Sequence, residues 1–229
     1  MASFLSLCSA RYESLPGGAP VGEQAPQGSA VFVAGTDAEY PASGIPQRRK
    51  TERHWLAVWS DEGAVDRFLS SPATYLSQLD GAHDVCGLKL IPYMQRGAEI
   101  LALDVHRTRP KPDEAIAIIT SIGPYTSESD VIAAGQKARA ARQSLAHADG
   151  LTRELLLIPY PLMATDLFTV TAWSSERAAQ AWAYRTDSHR AAIDFHKTAS
   201  EKARVSFTRC IVGGSFGDWR QSGMKSISG

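Results

Sequence analysis

The chain has 229 residues, of which 44% are hydrophobic, and its 24 basic and 24 acidic side chains give a formal net charge of zero. Because the charges cancel and no run of five or more like charges occurs, neither nucleic acid nor an anionic membrane is indicated as a partner. The length allows either one large domain or two small ones, with a substantial core in both cases.

The three cysteines, Cys8, Cys86 and Cys210, form neither a CxxC motif nor a Cys/His cluster. This spacing favours structural thiols in a reducing cytoplasm over a zinc site or a redox pair. The apolar run near the N-terminus is too short for a signal peptide, and no stretch approaches the roughly 18 residues of a membrane helix. We therefore expect a cytoplasmic protein without a membrane span.

The first half of the chain predicts mainly strands. Short apolar runs predict them at residues 3–12, 30–35, 54–59 and 85–93. The Gly/Pro-rich segment 15–29 and the polar segment 36–52 are predicted as loops. Ser60 is the predicted N-cap of a helix whose buried stripe is Val65, Phe68 and Leu69, and Pro72 interrupts this helix before a short second turn that ends at Leu79.

The second half predicts a longer alternation of strands and helices. Strands are expected at residues 99–106, 155–159, 167–173 and 205–214. The helices are expected at residues 113–122, at 127–148 with a Ser127/Asp130 capping pattern, and from about residue 174 to Lys202 with a break near Thr186.

Residues 173–189 repeat the pattern of residues 59–75 at an offset of 114. Four pairs are identical and a fifth is aromatic in both copies: Trp59/Trp173, Ser60/Ser174, Glu62/Glu176, Ala64/Ala178 and Phe68/Trp182. At the end of the repeat, Tyr75 corresponds to His189. Such a repeat predicts two copies of one supersecondary unit.

The predicted order of the second copy is β-α-β-β-α-β, the ferredoxin-like order, and the first copy has the same order with its first helix replaced by a loop. We therefore predict an α+β barrel made of two tandem ferredoxin-like repeats, residues 1–97 and 98–214, followed by a tail at 215–229. The first repeat is the degenerate one.

No nucleotide-binding, hydrolase or zinc-protease motif is present, so the six histidines are the main candidates for chemistry. His54 and His106 lie at predicted strand ends and are expected to be solvated. His147 lies at a helix C-terminus, where a cationic imidazole is stabilised, and His83 has no assigned role. His189 and His196 lie seven residues apart on one face of a predicted helix.

The surroundings of His189 distinguish it from the other histidines. Tyr184 and Arg185 lie within two turns of it, with Trp182 behind them. A neutral imidazole on a rigid helix, with an arginine nearby for a propionate, would suit haem iron. The alternative is a surface histidine beside packing aromatic residues, and spacing alone favours that alternative.

A family resemblance is carried by short motifs spread over most of the chain. Those in the second half are Trp173, Ala183, Tyr184, Arg185, His189, the strand around 205–212, Gly217 and Trp219. In the first half the segment 35–46, GTDAEYPASGIP, precedes an AVW strand. Together they resemble the spheroidene monooxygenase-like family. The resemblance implies a dimeric α+β barrel-like fold and a haem-dependent oxygenase role in carotenoid ketone formation. Residues 13–29 depart from the family pattern, because the first helix is replaced there.

Relatives with this barrel include haem-degrading monooxygenases, chlorite dismutases, dye-decolorising peroxidases and aldoxime dehydratases, in which a helix histidine commonly holds the iron. The resemblance thus implies a haem-dependent oxygenase of a small or medium apolar substrate. His189 would be the axial ligand and His196 the alternative ligand, while Arg185 and Tyr184 would position a propionate, the substrate or oxygen. An electron donor is a possible partner.

Three other functions stay open. A haem dehydratase acting on an N–O substrate would use the same site without oxygen. A cofactor-free monooxygenase of the antibiotic-biosynthesis type would use a histidine or tyrosine as base. A non-catalytic module would only carry a small ligand.

Overall fold

The computed structural model describes residues 3–13, 24–106, 108–125, 127–159, 167–199, 204–217 and 219. Its strands are β1 Phe4–Arg11, β2 Ser29–Glu39, β3 Gln47–Trp59, β4 Asp84–Gly97, β5 Ile116–Gly123, β6 Leu151–Pro159, β7 Leu167–Trp173 and β8 Arg204–Phe216. Its α-helices are α1 Glu62–Ser70, α2 Glu128–Leu145, α3 Glu176–Arg185 and α4 Asp187–Ala199. Two short 3-10 turns, Pro72–Thr74 and Ser77–Leu79, follow α1 where the sequence predicts a second turn.

The eight strands form one closed antiparallel barrel in the order β1-β3-β2-β6-β7-β5-β8-β4. The four strands of the first half are neighbours, and so are the four of the second half. The two sets meet where Gly35 pairs with Pro159 and where Leu90 pairs with Val212. Closure satisfies the edge strands that each half would otherwise leave open.

Period-two alternation divides the strand residues between the barrel interior and the helix-covered outer face. Leu5, Leu7, Leu56, Val58 and Leu88 belong to the interior apolar cluster. On the outer face, α1 covers a second cluster, which includes Trp55, Trp59, Val65 and Phe68. Near α3, the cluster consists of Ile116, Leu145, Trp173 and Ala179. The predicted α+β class and the barrel are therefore confirmed.

The strand predicted at 99–106 is wrong, because this segment has no regular secondary structure. Leu101 and Leu103 instead join the interior apolar cluster, and Ser3 N donates to the Asp104 carbonyl over 2.8 Å. The alternating apolar residues thus reflect anchoring of a loop in the core. The short helix predicted at 113–122 is also wrong. Its isoleucines lie in strand β5, where β-branched side chains pack well between neighbouring strands.

The loop predicted at 36–52 is too long, because β2 continues to Glu39 and β3 begins at Gln47. Polar side chains here bond across the ladder: Arg11 on β1 donates to Glu52 on β3 over 2.9 Å. Ser60 is not the cap of α1. Asp61 is the N-cap, and its carboxylate accepts from Gly63 N and Ala64 N.

Most of the predicted 15–29 loop and most of the predicted tail lie outside the described residues. Trp219 in that tail is described, and it is buried. In the described part of the chain, no helix is long and apolar enough to cross a membrane.

Candidate functional site

The helix break predicted near Thr186 is confirmed and determines where His189 lies. Ser175 caps α3 by accepting from Ala178 N, and Thr186 adopts an extended conformation with φ −99° and ψ 116° that ends this helix. The chain then restarts as α4 at Asp187, which places His189 in the first turn of the new helix.

The imidazole of His189 is half-buried and held on two sides. Its Nδ1 lies 3.1 Å from the carbonyl oxygen of Ala183, and its ring centroid lies 4.2 Å from that of Trp182. The indole of Trp182 is itself fixed by donating to Ser144 Oγ over 3.1 Å. Since a carbonyl only accepts, this hydrogen bond requires the proton on Nδ1, and Nε2 keeps its lone pair in the neutral ring.

Burial lowers the pKa of His189 below its ordinary value, more than the Ala183 carbonyl raises it. The neutral imidazole is therefore favoured near neutral pH, and this is the form that binds a metal. A carbonyl bound to the far nitrogen is also the usual way in which proteins orient an iron-binding or zinc-binding histidine.

Tyr184 and Arg185 are not gathered around this imidazole. The Tyr184 side chain is 68% exposed, and Arg185 is exposed too. Among the described residues, no hydrogen bond joins either of them to His189. The backbone of His196 lies in α4 as predicted, and its side chain is outside the described part of the structure.

His189 fits the protein side of a haem site in one respect. Haem needs a single axial side chain and not a cluster of ligands. His189 offers Nε2 for that role, because Nδ1 is taken by a carbonyl. Within the described ranges, no group of three or more His, Cys, Asp or Glu side chains could hold a bare metal ion.

A second group of polar side chains lies inside the barrel and was not predicted from the sequence. His54 is 0% exposed, so the prediction that it is a solvated strand-end residue is wrong. Its Nδ1 lies 2.9 Å from Ser9 Oγ, and its Nε2 lies 3.7 Å from Asp37 Oδ1. Strand β3 starts seven residues earlier than His54, which therefore lies within the ladder and faces inward.

The sequence did contain a signal for this placement. His54 has the same parity along β3 as Leu56 and Val58, which face the interior, whereas Trp55 and Trp59 face α1. Extending this alternation from Leu56 back to His54 places the imidazole inside the barrel.

Arg153 on β6 belongs to the same interior group. The residue is 2% exposed, and its Nη1 donates to Cys86 Sγ over 2.7 Å. Its guanidinium carbon lies 4.3 Å from the ring centroid of Trp219. A cation–π contact contributes about 0.5–2 kcal/mol, whereas burying an unpaired charge costs several kcal/mol. These two contacts therefore do not offset the burial of the cation.

Comparison with solved structures shows similarity to two aldoxime dehydratases. One, solved in complex with butyraldoxime, has a TM-score of 0.57 and 9% identity over 92% of this chain and 79% of that chain. The other has a TM-score of 0.55 and 9% identity over 92% and 81%. A heme-degrading enzyme from Listeria monocytogenes matches at a TM-score of 0.33 and 10% identity over 76% and 82%.

No protein-family model matches the chain, and no curated protein matches it. The likeness to the two dehydratases, at 9% identity, shows a shared fold.

Proposed function

We propose that the protein is a haem-dependent oxygenase of a small or medium apolar organic substrate, with His189 as the axial ligand. The observation that carries the proposal is the hydrogen bond between His189 Nδ1 and the Ala183 carbonyl. It fixes the tautomer that leaves Nε2 for iron, while burial keeps the imidazole neutral. Membership of the spheroidene monooxygenase-like family is part of this proposal.

The neighbouring side chains would take supporting roles. Arg185 ends α3 four residues before His189, and its exposed guanidinium is available to pair with a propionate. Tyr184 would contact the substrate or oxygen, and His196 is the alternative ligand two turns further along α4. When bound, haem would supply the redox chemistry, and the protein would orient the substrate and limit water.

The proposal includes two tandem ferredoxin-like units, one up to residue 97 and one from 98 to 214. The strand order within each half supports it: β4-β1-β3-β2 in the first half and β8-β5-β7-β6 in the second. In each half, the strand that comes last in the sequence lies beside the one that comes first, and the third strand in the sequence lies beside the second. With a tyrosine at position 75 and a histidine at 189, the proposed iron site occurs once, in the second unit.

Absorption spectra of the protein expressed with excess haem test the proposal. We expect a Soret band in the purified protein, and its loss or shift in His189→Ala. His147→Ala, which changes an exposed histidine at the end of α2, is the matched control and should leave the band unchanged. No Soret band, or a band that is the same in His189→Ala, would overturn the assignment.

Turnover with and without oxygen then separates two chemistries at this site. An oxygenase loses activity when oxygen is removed, whereas a dehydratase of an N–O substrate does not. Oxygen-dependent activity in colourless, metal-free protein would instead identify the cofactor-free type of monooxygenase and contradict haem dependence.

A further inference from the structure

The guanidinium of Arg153 is a buried cation without an anionic partner in the described part of the chain. No Asp or Glu oxygen among these residues lies within ion-pair distance of it, and its Nε has no hydrogen-bond partner. The Nη1 side is occupied by Cys86 Sγ, and the face is covered by the ring of Trp219. The edge formed by Nε and Nη2 is therefore the edge left for a ligand.

Two other buried groups of the barrel interior also have a nitrogen without a hydrogen bond. Among the described residues, Trp219 Nε1 has no acceptor, and neither has His54 Nε2, because Asp37 Oδ1 at 3.7 Å is too distant. The strand register connects His54 to Arg153: Ser9 is paired with both His54 and Cys86. Cross-strand neighbours such as these have Cβ atoms about 5 Å apart. Arg153, Trp219 and His54 therefore belong to one end of the barrel interior.

We infer that this end of the barrel interior binds a small carboxylate-bearing molecule, with Arg153 as its counter-ion. A carboxylate presents two coplanar oxygens, which match the parallel N–H groups of the Nε–Nη2 edge. Trp219 Nε1 supplies a further donor. We expect a small ligand, because the interior around Cys86 belongs to a cluster of buried apolar side chains.

This site is separate from the proposed haem site and does not depend on it. Arg153 faces the barrel interior and contacts Cys86 of the interior apolar cluster. His189 packs on Trp182, which belongs with Trp173 to the cluster on the outer face of the barrel. His189→Ala should therefore bind carboxylates as the unmodified protein does.

Thermal unfolding and calorimetric titration with acetate and benzoate test the inference. Acetamide and benzamide are the uncharged controls, and sodium chloride keeps the ionic strength constant. We expect saturable stabilisation by at least one carboxylate and none by its amide. Arg153→Gln should weaken carboxylate binding at least tenfold, and Trp219→Phe should weaken it less. Arg177→Gln, which changes an exposed arginine on α3, is the matched control and should bind normally.

The inference is wrong if the unmodified protein shows no saturable response to either carboxylate, or if Arg153→Gln responds as strongly as the unmodified protein does. If Arg153→Gln does not fold, Arg153→Lys is the replacement test, because it keeps the positive charge and removes the parallel N–H groups of the Nε–Nη2 edge. Weaker carboxylate binding by Arg153→Lys than by Arg177→Gln supports the inference, and equal binding overturns it.

Discussion

The ring of His189 packs against the ring of Trp182 with centroids 4.2 Å apart and the ring planes tilted by 44°. A related aromatic contact occurs 114 residues earlier, where Tyr75 and Phe68 pack edge to face with centroids 5.5 Å apart. Each pair also contacts a buried tryptophan of the barrel, Trp173 at 5.6 Å from Trp182 and Trp59 at 5.3 Å from Phe68. The position of His189 is therefore one at which an aromatic ring packs in both halves. The histidine adds a nitrogen that its counterpart lacks.

Replacing His189 by phenylalanine should separate packing from ligand binding. The ring contacts with Trp182 remain in His189→Phe, so we expect its free energy of unfolding to stay within about 1 kcal/mol of the unmodified protein. His189→Ala loses these contacts and should be destabilised by about 1–2 kcal/mol. Both variants should lose or shift the Soret band. Urea denaturation and haem titration measure the two effects, and an unchanged Soret band in stable His189→Phe would contradict ligation.

The stability of the haem-free protein should depend on pH through His189. Burial lowers the pKa of this imidazole in the folded state from the ordinary 6.5. The unfolded chain therefore binds a proton first as the pH falls, and this favours unfolding. The contribution of a neutral His189 is complete above pH 6.5 and is lost as the pH falls from 6.5 through the lowered pKa.

Urea denaturation at a series of pH values checks this dependence. The stability of the unmodified protein should fall relative to His189→Phe as the pH falls below 6.5. The control His83→Gln changes an exposed histidine, retains His189 and should follow the unmodified protein. Parallel pH profiles for the unmodified protein and His189→Phe would show that His189 is not the group responsible.

Sequence reasoning predicted the elements whose signals are local. The capped helix that begins after Ser127 and the break at Thr186 were both predicted, because capping and helix termination depend on neighbouring residues. The loop 99–106 was misread as a strand, since alternation cannot distinguish a ladder from a segment anchored by Leu101 and Leu103. The pairing of Arg153 with Cys86 and Trp219 could not be predicted, because barrel closure brings together residues far apart in sequence.

The cap of α1 gives a direct test of one corrected prediction. The Asp61 carboxylate accepts from two backbone N–H groups at the start of the helix, Gly63 N and Ala64 N, each over 3.1 Å. Asp61→Ala should therefore lower the free energy of unfolding by about 1 kcal/mol, within the usual range of about 0.5–2 kcal/mol.

Ser60→Ala should change the stability by less than about 0.5 kcal/mol, because Ser60 is exposed and does not cap the helix. Ser175, which corresponds to Asp61 at the offset of 114, caps α3, and Ser175→Ala should resemble Asp61→Ala. Chemical denaturation of Asp61→Ala, Ser60→Ala and Ser175→Ala shows which residues cap the two helices. A larger loss in Ser60→Ala than in Asp61→Ala would restore the original prediction.

Two glycines, one in α2 and one in the β2–β3 connection, should be intolerant of a side chain. A Cβ at Gly135 would overlap the carbonyl oxygen of Gly44, and a Cβ at Gly44, whose φ is +82°, would overlap the carbonyl oxygen of Ile132. In a helix interior, alanine is favoured over glycine by about 1 kcal/mol. The clash opposes this gain and should exceed it, since the overlap is with backbone that cannot move aside. We expect Gly135→Ala to lose about 1–3 kcal/mol of unfolding free energy.

Gly63 in α1 is the matched control, because the nearest atom to its added Cβ is Arg67 Nη1 at 3.3 Å, the far end of a flexible side chain. Gly63→Ala should therefore be neutral or stabilise the protein by up to about 1 kcal/mol. Both substitutions replace a helix glycine by alanine. If thermal or urea unfolding shows that Gly135→Ala lowers the free energy of unfolding and Gly63→Ala raises it, the difference is due to the contact between α2 and the β2–β3 connection. If Gly135→Ala is as stable as Gly63→Ala, α2 does not pack on Gly44 as described.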